Sequence, residues 1–310
     1  MTLFSLVFAL LLDQFRVLSR ARVQGGLQSL AAWGRRQYDD GGEANGRWAW
    51  WIVVGGASLA VLVVHWLLSS VSWVLGFGFS VLVLWGCMGF RDVLDAFSDV
   101  HLALSTGDNE RAAGLLARWR GEACQPVGSG ETARLAIETL LIGSHRQAFG
   151  VIFWFVLLPG PVGAAAYRLC AHLAAVWRKD GDGDHDRFGQ HAHTAFEWVD
   201  ALPVRLTALF YSVLGNFEDA LYCWRAQSVL WPDRLSGILI ASGAGALGVR
   251  LGLPIHGADC VVDRPEMGTG GAGHKADTLH MQRAAQLVWR VLWLWLLLLA
   301  LFGVAGLMSG

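Results

Sequence analysis

Residues 48–90 read WAWWIVVGGASLAVLVVHWLLSSVSWVLGFGFSVLVLWGCMGF, and the whole stretch holds no Asp, Glu, Lys or Arg. An α-helix rises about 1.5 Å per residue, so about 20 apolar residues cross a bilayer's hydrocarbon core. Residues 48–68 reach that length, Ser69-Ser70 makes a tight break, and residues 71–90 cross back. The stretch therefore predicts a transmembrane hairpin. Trp48, Trp50 and Trp51 stand at its entrance, where an amphipathic indole sits well among headgroups. His65 lies within the first crossing. An intramembrane ionisable group is a functional candidate by default, but a neutral imidazole hydrogen-bonded to a neighbouring helix is the reading favoured here.

The composition agrees with a membrane protein. The 310 residues are 54% hydrophobic and 16% charged, against about 25% charged in soluble domains. Net charge is −1 and no basic stripe with interleaved aromatics occurs, which argues against nucleic acid as a partner. Cys87, Cys124, Cys170, Cys223 and Cys260 are scattered with no CxxC, so they read as reduced thiols rather than as a zinc or redox motif. The apolar start, MTLFSLVFALLLDQF, lacks a basic flank and a small-residue cleavage site, and reads as a short anchor or interfacial helix.

A last crossing spans residues 288–308, with Arg290 able to snorkel to the interface. Arg16, Arg20, Arg22, Arg35, Arg36 and Arg47 precede the hairpin, Arg91 follows it and Arg283 precedes the last crossing. By the positive-inside rule both hairpin ends face the cytoplasm and the C-terminus faces the periplasm of a bacterial inner membrane. Residues 149–167 (FGVIFWFVLLPGPVGAAAY) are apolar but interrupted by Pro159-Gly160-Pro161, and Arg146 and Arg168 flank them. Proline removes a helix hydrogen bond, so a broken, re-entrant helix pair is expected.

Elsewhere the pattern is amphipathic. Val93, Phe97, Val100 and Leu104 share one helix face, while Asp92, Asp95 and Asp99 line a solvated one. Gly107-Asp108 breaks that helix, and residues 110–119 begin the next. Residues 202–217 lie in or dip into the interface, and residues 176–189 and 263–275 read as polar linkers. The domain plan is an anchor and basic segment (1–47), the hairpin (48–90), a cytoplasmic and membrane-embedded helical region (91–285) and a C-terminal helix (286–310).

Several motifs invite a chemical reading. Gly243-Ala-Gly245-Ala-Leu-Gly248 matches GxGxxG, yet Gly252, Pro254 and Gly257 would break the helix that a dinucleotide site needs. Small residues that let helices approach closely explain it better. The Asp180–Asp186 run lacks the Gly and Glu of a calcium loop and reads as a solvated linker. In Asp200-Ala-Leu-Pro203-Val-Arg205, Asp200 is expected to cap a helix whose first turn tolerates Pro203, with Arg205 either snorkelling to the interface or holding an anion or phosphate near the helix start.

Residues 149–169, then DALPVRLTA at 200–208, LGNFEDAL at 214–221, GALGVRLG at 245–252 and GDNERAA at 107–113 occur in one order. Together they resemble the CobD/CbiB–AmpE superfamily of inner-membrane proteins over roughly residues 75–260. The resemblance implies an all-α, multi-pass helical protein with a hairpin, a broken helix pair, cytoplasmic amphipathic helices and a C-terminal span. Its CobD/CbiB branch implies an adenosylcobinamide-phosphate synthase, joining adenosylcobyric acid to an aminopropanol phosphate with ATP and Mg. Its AmpE branch implies envelope or β-lactamase-induction signalling without an established reaction.

The synthase pattern AVESVAENTSDGVVAPLFW aligns with AIETLLIGSHRQAFGVIFW at 136–154. Glu138 keeps the first acid, but Ile142, Gly143 and Arg146 stand where a second acid, an Asn and an Asp are expected, and Asp200 replaces the Asn of NWIPARLTA. These departures favour an AmpE-like signalling or ligand-sensing protein, not an enzyme, with the synthase as the alternative. No catalytic residue, metal or cofactor is then expected, and Mg and ATP belong to the alternative alone. The expected partners are the lipid bilayer and a small molecule or protein. A ligand site would use Glu138 and Asp200 as acids and Arg168 and Arg205 as anion contacts.

Overall fold

The computed structural model describes residues 2–15, 21–38, 43–121, 128–179, 187–256, 261–269 and 273–308. The chain is an all-α, multi-pass membrane protein. Among the described residues four helical stretches are long and apolar enough to cross a bilayer: Asn45–Val71, Trp73–Ser105, Ser129–Leu157 and Thr278–Ala305. The strands there are a two-residue antiparallel pair, β1 (Ile255–His256) and β2 (Val261–Val262).

Two compact units are present, Met1–Gly89 with Arg146–Pro203, and Phe90–His145 with Val204–Gly310. In the first, α1 (Thr2–Phe15) packs on α5 (Trp73–Cys87), and α4 (Gly56–Val71) forms the hairpin with α5. The hairpin turns at Ser72, not at Ser69-Ser70 as expected. Ser72 is extended and its hydroxyl accepts from Val74 N–H, capping α5. Ser69 stays helical and packs where a Cβ on Gly76 would project, which lets the hairpin arms close. His65 Nδ1 meets Ser80 Oγ across the hairpin at 3.4 Å, a partner on a neighbouring helix as expected. Trp50 is buried against Trp51 and His191 rather than displayed at the interface.

Also in the first unit, α2 (Ala21–Tyr38) is tied to α10 (Val162–Lys179) by Trp177 Nε1 donating to Ala31 O at 3.0 Å. The predicted interruption is present. Helix α9 (Gly150–Leu157) ends where Leu158 turns extended, Gly160 takes φ +63°, and α10 begins at Val162. Gly163 lies against the Trp154 carbonyl, so α9 and α10 pack tightly back on each other.

In the second unit, α6 (Phe90–Ser105) buries Val93, Phe97, Val100 and Leu104, the face read from the sequence. Asp92 and Asp99 are exposed, and Asp95 pairs with Arg91. Gly107 adopts φ +80° and Asp108 caps α7 (Asn109–Arg120). Helices α6, α7, α13 (Arg234–Leu247) and α14 (Thr278–Met308) all pack on α8 (Ser129–Ser144). The glycine motif lies within and at the end of helix α13: Gly243 faces Leu141 and Gly245 faces the backbone of Ala220 in α12 (Phe217–Gln227). Close approach, not nucleotide binding, is what it serves.

Two spans are longer than expected. Helix α8 runs through a π turn, His145–Phe149, into α9, so the third crossing starts at Ser129. Helix α14 starts at Thr278, ten residues ahead of the expected crossing, because Asp277 caps it through His280 N–H at 2.8 Å. Residues 180–186, Arg16, Arg20, Cys124 and Cys260 lie outside the described residues.

Candidate functional site

The predicted ligand residues do not come together: Asp200 and Arg168 lie in the first unit, Glu138 is buried in the second, and Arg205 is exposed. In the first unit Asp200 is 1% exposed and accepts a hydrogen bond from Tyr167 Oη at 2.9 Å. Arg146 and Arg168 are both within electrostatic reach of Tyr167, and Arg146 lies over the Phe196 ring. Burial, reinforced by Arg168, holds His172 below its ordinary pKa, so its imidazole is neutral at neutral pH.

Asp200 is not a helix cap. Helix α11 (Arg187–Leu214) begins thirteen residues earlier and carries Pro203 in its interior. Proline donates no N–H and would ordinarily orphan the carbonyl four residues back, at Val199. That carbonyl accepts the indole N–H of Trp154 at 3.2 Å instead. The helix continues, which turns Asp200 inward toward Tyr167. Arg205 is exposed in the body of the same helix, far from its start, so the expected helix-terminus geometry does not exist there.

In the second unit Glu138 is 3% exposed on α8. Its Oε1 accepts Gly252 N–H at 2.8 Å and its Oε2 is paired with Arg264. The Arg264 guanidinium lies 4.5 Å from the Trp231 ring centroid. One turn back on α8, Arg134 donates to Glu131 Oε1 (3.3 Å) and to Pro254 O (2.9 Å). Gln227 grips the same segment through both Gly268 N–H (2.8 Å) and Gly268 O (2.7 Å).

The residues 263–269, read as part of a polar linker, thus dock against the core. Sequence reasoning missed Arg264, Arg134, Tyr167 and Trp231. The signal present was Arg264-Pro265-Glu266, opposite charges on either side of a proline, following the glycine motif. Cys170 and Cys223 are buried thiols, raised by burial to about 12 and about 11, and are chemically quiet.

Comparison with known proteins adds the family. The model of the family described as "CobD/Cbib protein" matches residues 6–288. The chain belongs to the CobD/CbiB family. A cobalamin biosynthesis protein CobD of Stutzerimonas stutzeri is 33% identical over 265 residues, covering 85% of this chain and 83% of that protein. One from Chromobacterium violaceum is 34% identical over 219 residues, covering 69% and 67%. One from Mycobacterium tuberculosis is 25% identical over 200 residues, covering 62% and 63%. No solved structure matches.

These relatives overturn the AmpE-like signalling reading: they are named for cobalamin biosynthesis. That expectation rested on Ile142, Gly143 and Arg146 as lost polar positions. In this CobD/CbiB chain Gly143 is a packing position against Val93. Arg146 and Asp200 both act electrostatically on Tyr167.

Proposed function

We propose that the chain is a membrane-bound enzyme of cobalamin biosynthesis, of the adenosylcobinamide-phosphate synthase type. It joins the carboxyl of adenosylcobyric acid to the amine of an aminopropanol phosphate, forming an amide. The observation that carries this reading is the family match over residues 6–288, supported by relatives named for cobalamin biosynthesis. The membrane is the inner bacterial one, with the C-terminus on the periplasmic side.

ATP, when bound, supplies carboxyl activation. The residues present do not fit a magnesium ion at Glu138, because each of its oxygens already receives a donor. No step is routed through a metal there. The attacking amine must shed protons, and a buried carboxylate held by a phenol suits that work. Asp200 is assigned the proton acceptor, with Tyr167 orienting it. Arg168, in the same unit as Asp200, is assigned a contact to an anionic group.

Complementation tests the reading. A bacterium lacking its adenosylcobinamide-phosphate synthase, supplied with cobyric acid, should grow when it carries this chain. The Asp200→Ala variant should fail while still inserting in the membrane. No growth with the unaltered chain, shown to be present in the membrane, would sink the enzymatic reading.

A further inference from the structure

Within the second unit the segment after α13 is held to α8 by charge. Glu138 receives a backbone amide from Gly252 and a guanidinium from Arg264. A second guanidinium, Arg134, stands one helical turn away, 5% exposed, and its buried Nε has no hydrogen-bond partner among the described residues. Glu138 and Arg264 are both within its electrostatic reach. An amide and a guanidinium converging on two oxygens, with a further cation beside them, is an arrangement that suits an oxyanion. Here a carboxylate of the chain itself fills it.

Two features keep this arrangement in place without Glu138. Gly252 takes φ +82°, and a Cβ there would collide with Pro265 O, so its amide is aimed by local backbone. Arg264 is supported by the Trp231 face, which orients a planar guanidinium whether or not it is ion-paired. The donors are therefore pre-set, and the Arg134 Nε remains in surplus.

We propose that Gly252, Arg264 and Arg134 form a binding site for a phosphate monoester, and that Glu138 is its internal occupant, displaced when the phosphate arrives. This rests on the reading above that the substrate bears a phosphate. Glu138 then competes with the ligand instead of holding it. Replacing it by the uncharged amide should strengthen binding, the reverse of what a substrate- or metal-binding acid would show.

The test uses the full chain purified in micelles and titrated calorimetrically with inorganic phosphate, and in separate arms with aminopropanol phosphate and with ATP. The arm with the tightest binding identifies the source of the phosphate. Arg264→Gln should weaken binding by at least about tenfold, and Glu138→Gln should tighten it by about the same factor. The unaltered protein gives a second readout, independent of whether variants fold. Saturating phosphate should shift the amide resonance of Gly252 as its acceptor changes from a carboxylate to phosphate, the amide staying protected from exchange. No phosphate binding in the unaltered chain, weaker binding in Glu138→Gln, or a Gly252 amide resonance untouched by phosphate each overturns the proposal. Complementation without phosphate binding would discard this site and keep the enzyme. Binding without complementation would keep the site and discard the enzyme.

Discussion

The indole N–H of Trp154 donates to the carbonyl of Val199 at 3.2 Å, the carbonyl that Pro203 leaves without its helical donor. One side chain from α9 thereby repairs the helix that presents Asp200. Trp154→Phe removes the donor and should cost about 1 kcal/mol of stability. The cost should shrink in a Pro203→Ala background, where a backbone N–H returns to position 203. Melting of the four variants in micelles closes this cycle, and equal costs in both backgrounds would disprove the repair.

Tyr167 and Asp200 form a buried pair with Arg146 nearby. Under the proposed function, Tyr167→Phe should lower kcat roughly tenfold to a hundredfold with little change in KM, since it disorients the proton acceptor. Arg146→Asp and Asp200→Asn should each impair complementation. Together they move the carboxylate from position 200 to position 146 and remove the guanidinium, and the double variant should grow better than either single. A double variant no better than the worse single would show that the two side chains do not act as a unit.

Gly252 should tolerate no side chain. Its positive φ costs an L-residue about 1–2 kcal/mol, and a Cβ would also meet Pro265 O. Gly252→Ala should therefore lower the melting temperature and release the segment carrying Arg264, seen as faster proteolysis within residues 253–275. A stable, uncleaved variant would mean that the segment is anchored elsewhere.

Asp277 receives His280 N–H and pairs with its ring at 2.7 Å, and the backbone hydrogen bond comes first among the causes that hold its pKa below the ordinary 3.8. A carboxylate with a depressed folded-state pKa adds stability above its unfolded pKa, and that stability fades as pH falls through the folded value. The side chain is more than half exposed, so the effect is small. Asp277→Asn should lower the melting temperature at pH 6, and the difference from the unaltered chain should narrow below about pH 4. A gap that is constant with pH would leave only the uncharged part of the cap.

Much of the architecture was legible before any coordinates. Hydrophobic length placed the hairpin, Pro159-Gly160-Pro161 placed the break, and a 3.6-residue period placed the buried face of α6. These are local properties, and bilayer thickness, proline's missing donor and helical periodicity act on neighbours in sequence. Errors came where a distant group supplied the partner. Asp200 looked like a cap because Pro203 ordinarily marks a helix start, and only Trp154, 45 residues away, makes the helix continuous. Four replaced residues, Ile142, Gly143, Arg146 and Asp200, pointed away from the synthase branch, although a family is carried by resemblance along the whole chain.

What this sequence determined alone is therefore the membrane class, the hairpin, the C-terminal crossing and the broken helix, because each follows from runs of residues meeting lipid or losing a backbone bond. Tertiary structure decided which charges meet. Glu138 lies 114 residues from Gly252 and 126 from Arg264. No local pattern encodes such a meeting, since an ion pair in a dry interior forms only where packing brings both partners together and removes the water that would otherwise hold them apart.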